Sequence, residues 1–96
     1  MPAYTIVDTK LIDPAAYEEY KAKARPIAEK HGGRYLARGG KLDIVEAGLW
    51  HPSRIVIIEF PSMAHARAFA DDPDYQPVAQ IRRANAEATI VIVEGL

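Results

Sequence analysis

Cysteine is absent from the 96 residues. Its absence excludes disulfides, thiol nucleophiles and cysteine metal sites, so a small domain must rely on its core or on oligomerisation. Surplus positive charge is also missing. Twelve basic residues face 13 acidic ones, for a net charge of −1. Binding to phosphate backbones or anionic bilayers needs a basic surplus or cluster, so neither nucleic acid nor membrane is expected as a partner. Apolar runs are short, as at Ile55–Ile58, far below the roughly 20 residues of a membrane span. No basic segment leads into an apolar one after Met1-Pro2-Ala3-Tyr4. No signal peptide is therefore expected, and the expected location is cytoplasmic.

Motifs for several chemistries are lacking too. The serines are Ser53 and Ser62, both in turn or cap positions, and no Gly-x-Ser-x-Gly elbow surrounds either. No glycine-rich nucleotide loop occurs. His31, His51 and His65 show no i, i+4 pairing and no clustered carboxylate, so neither a metal site nor a cofactor is expected. Tautomerases of another fold use an N-terminal proline amine as a base. Pro2 would present such an amine after loss of Met1, but the rest of the chain does not resemble them.

What is present reads as one domain over residues 1–96, which has room for a single modest core. Tyr4–Leu11 is β-branched and reads as a strand. Asp13 and Pro14 then suit the cap and first position of a helix. Tyr17, Tyr20, Ala24, Ile27 and His31 recur at spacings of three and four and define its inner face. Pro26 is expected to kink this helix, and Gly32-Gly33 to end it. Arg34–Arg38 is a short strand. Gly39-Gly40 follows, as a hairpin turn or a bend within one long strand, and Leu42–Glu46 resumes the extended pattern. Arg54–Phe60 is the strongest strand. Ser62 caps a second helix with Ala66, Phe69 and Ala70 inside. A third helix runs from about Gln76, and Thr89–Val93 is the last strand.

This order is α+β and ferredoxin-like: an antiparallel sheet with its helices on one face. Such a sheet has a bare second face. Yet Ile55-Ile57 and Val56-Ile58, like Ile90-Ile92 and Val91-Val93, place apolar groups on both faces of a strand. A second copy of the chain is the simplest cover, so a homodimer through the sheet face is expected. RNA-recognition domains share the element order, but they carry stacking aromatics where this chain has Ile55-Val56-Ile57-Ile58.

Four segments carry a family resemblance: Gly32 to Gly40 (Gly-Gly-Arg-Tyr-Leu-Ala-Arg-Gly-Gly), Trp50-His51-Pro52, Ile57 to Ser62 (Ile-Ile-Glu-Phe-Pro-Ser), and Tyr75 with Arg82. Together they resemble the bacterial family called domain of unknown function 1330, over nearly the whole chain from Tyr4 to Gly95. The resemblance implies the dimeric α+β barrel, in which two ferredoxin-like subunits join sheet to sheet. It implies no activity for this chain. The wider group includes cofactor-free monooxygenases, muconolactone isomerase and haem-binding chlorite dismutases, which is analogy of fold alone.

Glu59 is the first candidate for chemistry. A carboxylate after four apolar residues in a central strand is costly to bury unless paired or protonated, and a raised pKa would suit a general base. The bland alternative is a structural ion pair at the strand end. Arg38, beside two glycines, suits forked binding of a substrate carboxylate. Its alternative is a pair with Glu59. Trp50 is a dimer contact or a pocket lid. Tyr75 offers its hydroxyl to a ligand or staples the third helix. Arg82 is the one of two adjacent arginines expected to face inward. The expected protein is a small-molecule-binding dimer, in one reading a cofactor-free enzyme on a small carbonyl or aromatic compound. The competing reading is a non-catalytic binding or stress-associated dimer.

Overall fold

Asp13 adopts an extended conformation (φ −126°), and its carboxylate accepts from the Ala16 amide at 3.1 Å. With Pro14 in the first turn, this cap starts the long helix where the sequence places it. The computed structural model describes all residues, Met1–Leu96. Its elements are β1 (Ala3–Leu11), α1 (Pro14–Lys30), β2 (Arg34–Arg38), β3 (Ile55–Phe60), α2 (Met63–Asp71), α3 (Tyr75–Asn85) and β4 (Ala86–Glu94). The strands form one sheet in the order β2-β3-β1-β4, and every neighbouring pair is antiparallel. The chain is an α+β ferredoxin-like domain. Pro26 lies inside α1 on its exposed side, and the helix runs on to Lys30, just before Gly32-Gly33. Ser62 caps α2 by accepting from the His65 amide at 3.2 Å.

The strands sort their side chains by parity. Ala3, Thr5, Val7 and Thr9 of β1, with Val56, Ile58 and Phe60 of β3, are buried under the helices. Ala24, Ala28, Ala66 and Ala79 are buried at the helix side, and such small residues let backbones approach closely. Phe60 stacks on Phe69 at 5.6 Å, and Phe69 meets Tyr75 at 4.6 Å. The continuous apolar run of β3 suggests burial on both faces, but the isolated chain buries only one. Ile57 lies beside Ile6, which pairs with Val91, and Tyr4 pairs with Val93, all on the face away from the helices. On this open face Val91 is 50% and Val93 48% exposed.

The end of α1 is tied to the turn between α2 and α3. The buried Asp72 carboxylate meets His31 Nε2 at 2.6 Å, accepts from Lys30 Nζ at 2.9 Å and from the Asp74 amide at 2.7 Å. Led by the His31 contact, these partners hold the Asp72 carboxyl well below the usual carboxylate range.

Residues 39–54 are a long irregular connection between β2 and β3. Leu42–Glu46 forms no strand, and Gly39-Gly40 is neither a hairpin turn nor a bend in one strand. Gly39 takes φ +74° and turns the chain out of the sheet, while its amide still donates to Ile55 O at 2.9 Å. The connection returns through Asp8, whose carboxylate accepts from the Ser53 amide at 2.9 Å, the Arg54 amide at 3.1 Å and the Trp50 indole at 2.8 Å. Burial alone would raise the Asp8 pKa, but these donors outweigh it and hold the carboxyl below its ordinary value.

A depressed pKa stabilises the fold above the unfolded value, and that contribution is lost as pH falls through the folded one. Asp8→Ala is expected to lower stability at pH 7 by about 1–3 kcal/mol. The gap from the parent should close only as pH drops below about 4. Denaturant unfolding followed by Trp50, the sole tryptophan, measures both.

Candidate functional site

A cleft lies between the sheet and the helices, and its position depends on an irregularity in β2. Tyr35 pairs with Ile58 and Arg38 with Val56, so one extra residue is absorbed between them at Leu36 and Ala37. In a regular strand, residues three apart point to opposite faces. The bulge reverses that, and Tyr35 and Arg38 share the helix-side face. The Arg38 guanidinium stands 4.6 Å from the Tyr35 ring centroid and donates to Lys21 O at 2.7 Å.

Two further guanidinium groups approach the same layer. Arg54 lies 5.4 Å from the Tyr17 ring centroid. Gly39 makes room for it, since a Cβ there would fall 2.6 Å from Arg54 Nε. Arg82 of α3 is 8% exposed and sits 6.0 Å from the Tyr20 ring centroid. The Tyr20 and Tyr75 hydroxyls are hydrogen-bonded at 2.7 Å. The outer part of the cleft, about 30 Å³, is lined by Tyr17, Lys21, Tyr35, Arg38 and Arg54. The inner part, about 50 Å³, is lined by Ala66, Phe69, Tyr75, Ile90 and Ile92. Val7, Tyr20 and Ile58 line both.

The charge here is one-sided. Arg25, Arg34 and Arg67 each pair with a carboxylate. Arg38, Arg54 and Arg82 form no such pair, and no carboxylate or imidazole lines the cleft. Arg54 Nη1, Arg82 Nε and Thr5 Oγ1 are buried without a hydrogen-bond partner. Burial, with Tyr75 beside it, pushes the Tyr20 phenol far above its ordinary pKa, and burial also raises Tyr35 against the pull of Arg38. Both phenols therefore stay protonated. The cleft can offer positive charge and hydroxyl donors to a ligand, but it holds no ordinary base.

The candidates from the sequence divide between this cleft and the opposite face. Arg38 and Tyr75 line it, and Arg82 packs against its Tyr20. Trp50 does not line it; the indole caps Asp8 on the open side of the sheet and so helps position the Arg54 backbone. Glu59 is on the open face, half-buried, and accepts from Arg34 Nη2 at 2.8 Å. The pair with Arg38 is not formed, because Arg38 lies beside Val56 and Glu59 has the opposite parity. Arg54, Tyr17, Tyr20 and Tyr35, with Lys21 and Thr5, are polar cleft residues that the sequence analysis did not single out as site residues. Arg54 shares its strand parity with Val56, Ile58 and Phe60, which is the one signal that would have found it.

The comparisons agree with this class of fold. The chain resembles a protein of unknown function from Rhodopseudomonas palustris, at 22% identity and TM-score 0.76, over 99% of this chain and 82% of that one. It resembles SnoaB, a cofactor-independent oxygenase from Streptomyces nogalater, at 14% identity and TM-score 0.72, over 99% and 93% of the two chains. A dimeric ferredoxin-like protein of unknown function from Jannaschia sp. CCS1 matches at 18% identity and TM-score 0.69, over 99% and 100%. At these identities the likeness is one of fold. No curated protein matches. The family profile for domain of unknown function 1330 matches residues 2–96, and the chain belongs to that family.

Two measurements check the geometry of the cleft. Gly39→Ala places a Cβ at positive φ and against Arg54, so a loss of about 1–2 kcal/mol is expected in denaturant unfolding. Tyr20→Phe strands the buried Tyr75 hydroxyl and should cost about 1–3 kcal/mol. Adding Tyr75→Phe should cost less than its own single change, giving a coupling of at least about 0.5 kcal/mol in the double-mutant cycle.

Proposed function

We propose that this protein is a cytoplasmic homodimer that binds a small carbonyl or aromatic compound in the tyrosine and arginine cleft. The observation that carries the reading is the set of arginines around that cleft without a carboxylate partner. A buried charged donor left unpaired is costly, and a ligand oxygen would satisfy Arg54 Nη1, which has no partner in the fold. Tyr75 and Arg38 are the ligand contacts expected from the sequence that fit this placement, and Arg82 supports them through Tyr20. The dimer is supported by the open apolar face of β1, β3 and β4 and by the dimeric neighbour of the same fold.

The neighbouring fold in a cofactor-independent oxygenase makes cofactor-free chemistry a natural extension. In that reading the cleft would stabilise developing negative charge on a carbonyl oxygen. Glu59 as a base would have to act from the sheet interface, because it does not line the cleft. The absence of any carboxylate or imidazole there favours the second reading, non-catalytic binding.

Sedimentation should show a dimer. Val91→Lys with Val93→Lys, at positions exposed in the single chain, should give a folded monomer. A parent protein that sediments as a monomer contradicts the dimer. For the ligand, a thermal-shift panel of small carbonyl and aromatic compounds is the direct test. Saturation to 100 times the dissociation constant adds about 2.7 kcal/mol, roughly 10 °C or more in a domain of this size. A blank panel would contradict the cleft as a binding site.

A further inference from the structure

The cleft has a chemical polarity along its length. Its outer end carries Arg38 and Arg54, with Lys21 beside them. Its inner end is walled by Ala66, Phe69, Ile90 and Ile92. Three hydroxyls stand with them: Tyr20, which lines both parts and is bonded to Tyr75 of the inner part, and Thr5 of the inner part, whose Oγ1 has no partner. One member of the tyrosine pair donates to the other, so one O–H is left to donate elsewhere. A ligand matching this sequence of groups is charged at one end, carries an oxygen near its middle and ends in an apolar tip.

Size narrows the class. An apolar cavity that takes up benzene measures about 150 Å³. The two parts of this cleft measure about 30 and about 50 Å³. An aromatic ring does not fit in the inner part, whereas an alkyl tip of two or three carbons does.

Charge sets the sign. Arg54 Nη1 is buried without an acceptor, and Arg38 satisfies only a backbone carbonyl. Guanidinium forks match carboxylates in pairs of parallel hydrogen bonds. Lys21 already leans on Glu18 at 3.3 Å, which leaves the two arginines as the free cations of the outer end.

We propose that the ligand is a short aliphatic oxo- or hydroxycarboxylate of roughly three to five carbons. Its carboxylate lies between Arg38 and Arg54. Its second oxygen faces the tyrosine pair and Thr5, and its alkyl tip lies against Phe69. This rests on the cleft being the binding site and narrows it from carbonyl or aromatic compounds to one class.

The test is calorimetric titration of the purified protein with four probes: acetoacetate, butyrate, butyramide and benzoate. Acetoacetate is expected to bind tightest, with butyrate weaker. Butyramide, of the same shape without the charge, should bind at least tenfold more weakly than butyrate, and benzoate more weakly still. Arg54→Gln should weaken acetoacetate at least tenfold and leave butyramide unchanged. Arg38→Gln repeats the test should Arg54→Gln fail to fold. If butyramide binds as well as butyrate, or if neither arginine variant weakens acetoacetate, the carboxylate assignment is overturned while the cleft stands; if benzoate binds as well as butyrate, the short aliphatic assignment is overturned. If none of the four probes binds, this inference falls. The cleft itself then depends on the broader panel.

Discussion

Two guanidinium groups line the space between a sheet and its helices, a third packs behind its Tyr20, and no carboxylate lines it. That imbalance is the constraint on which the account rests. Elsewhere Arg25 is neutralised by Glu29 and Arg67 by Asp71 along single helices, Arg34 by Glu59 across the sheet, and Arg83 is left to solvent. Around the cleft Arg38, Arg54 and Arg82 stand against tyrosine rings instead. A ring face attracts a cation without cancelling its charge. The positive potential therefore remains available to something outside the chain.

Much of the fold serves to hold that space open. The bulge in β2 turns Arg38 toward the helices. Gly39 clears a place for the Arg54 guanidinium, and Asp8 fixes the Arg54 backbone while securing the long connection through Trp50. On the far side, Asp72 ties the end of α1 to the turn before α3. This fixes the helices that carry Tyr20 and Tyr75. Opposite the cleft, the sheet presents Tyr4, Ile6, Ile57, Val91 and Val93. One sheet thus walls the cleft on one face and leaves an apolar surface open on the other.

The architecture was legible in the sequence because strand alternation and helix caps are local. Asp13-Pro14, Ser62 and the β-branched runs place most elements within a residue or two. The third helix passes straight into β4 at Ala86, earlier than the apolar run from Thr89 suggests. The site was harder to read. Period-two reasoning assigns Tyr35 and Arg38 to opposite faces, and a bulge leaves no mark in the letters. The tyrosines at 17 and 20 read as core residues of a helical face, which they also are. Glu59 drew attention through its apolar neighbours, but its parity directs it to the open face and to Arg34. The segment at Leu42–Glu46 alternates like a strand yet finds no partner in the sheet, so tertiary pairing overrides local pattern there.

The most direct test of the central claim is the behaviour of the arginine Nε–H resonances during an acetate titration. The account predicts saturable shifts at Arg38 and Arg54, with Arg34, engaged by Glu59, unmoved. Shifts that are absent, or that grow uniformly across all arginines without saturating, would contradict an anion-binding cleft.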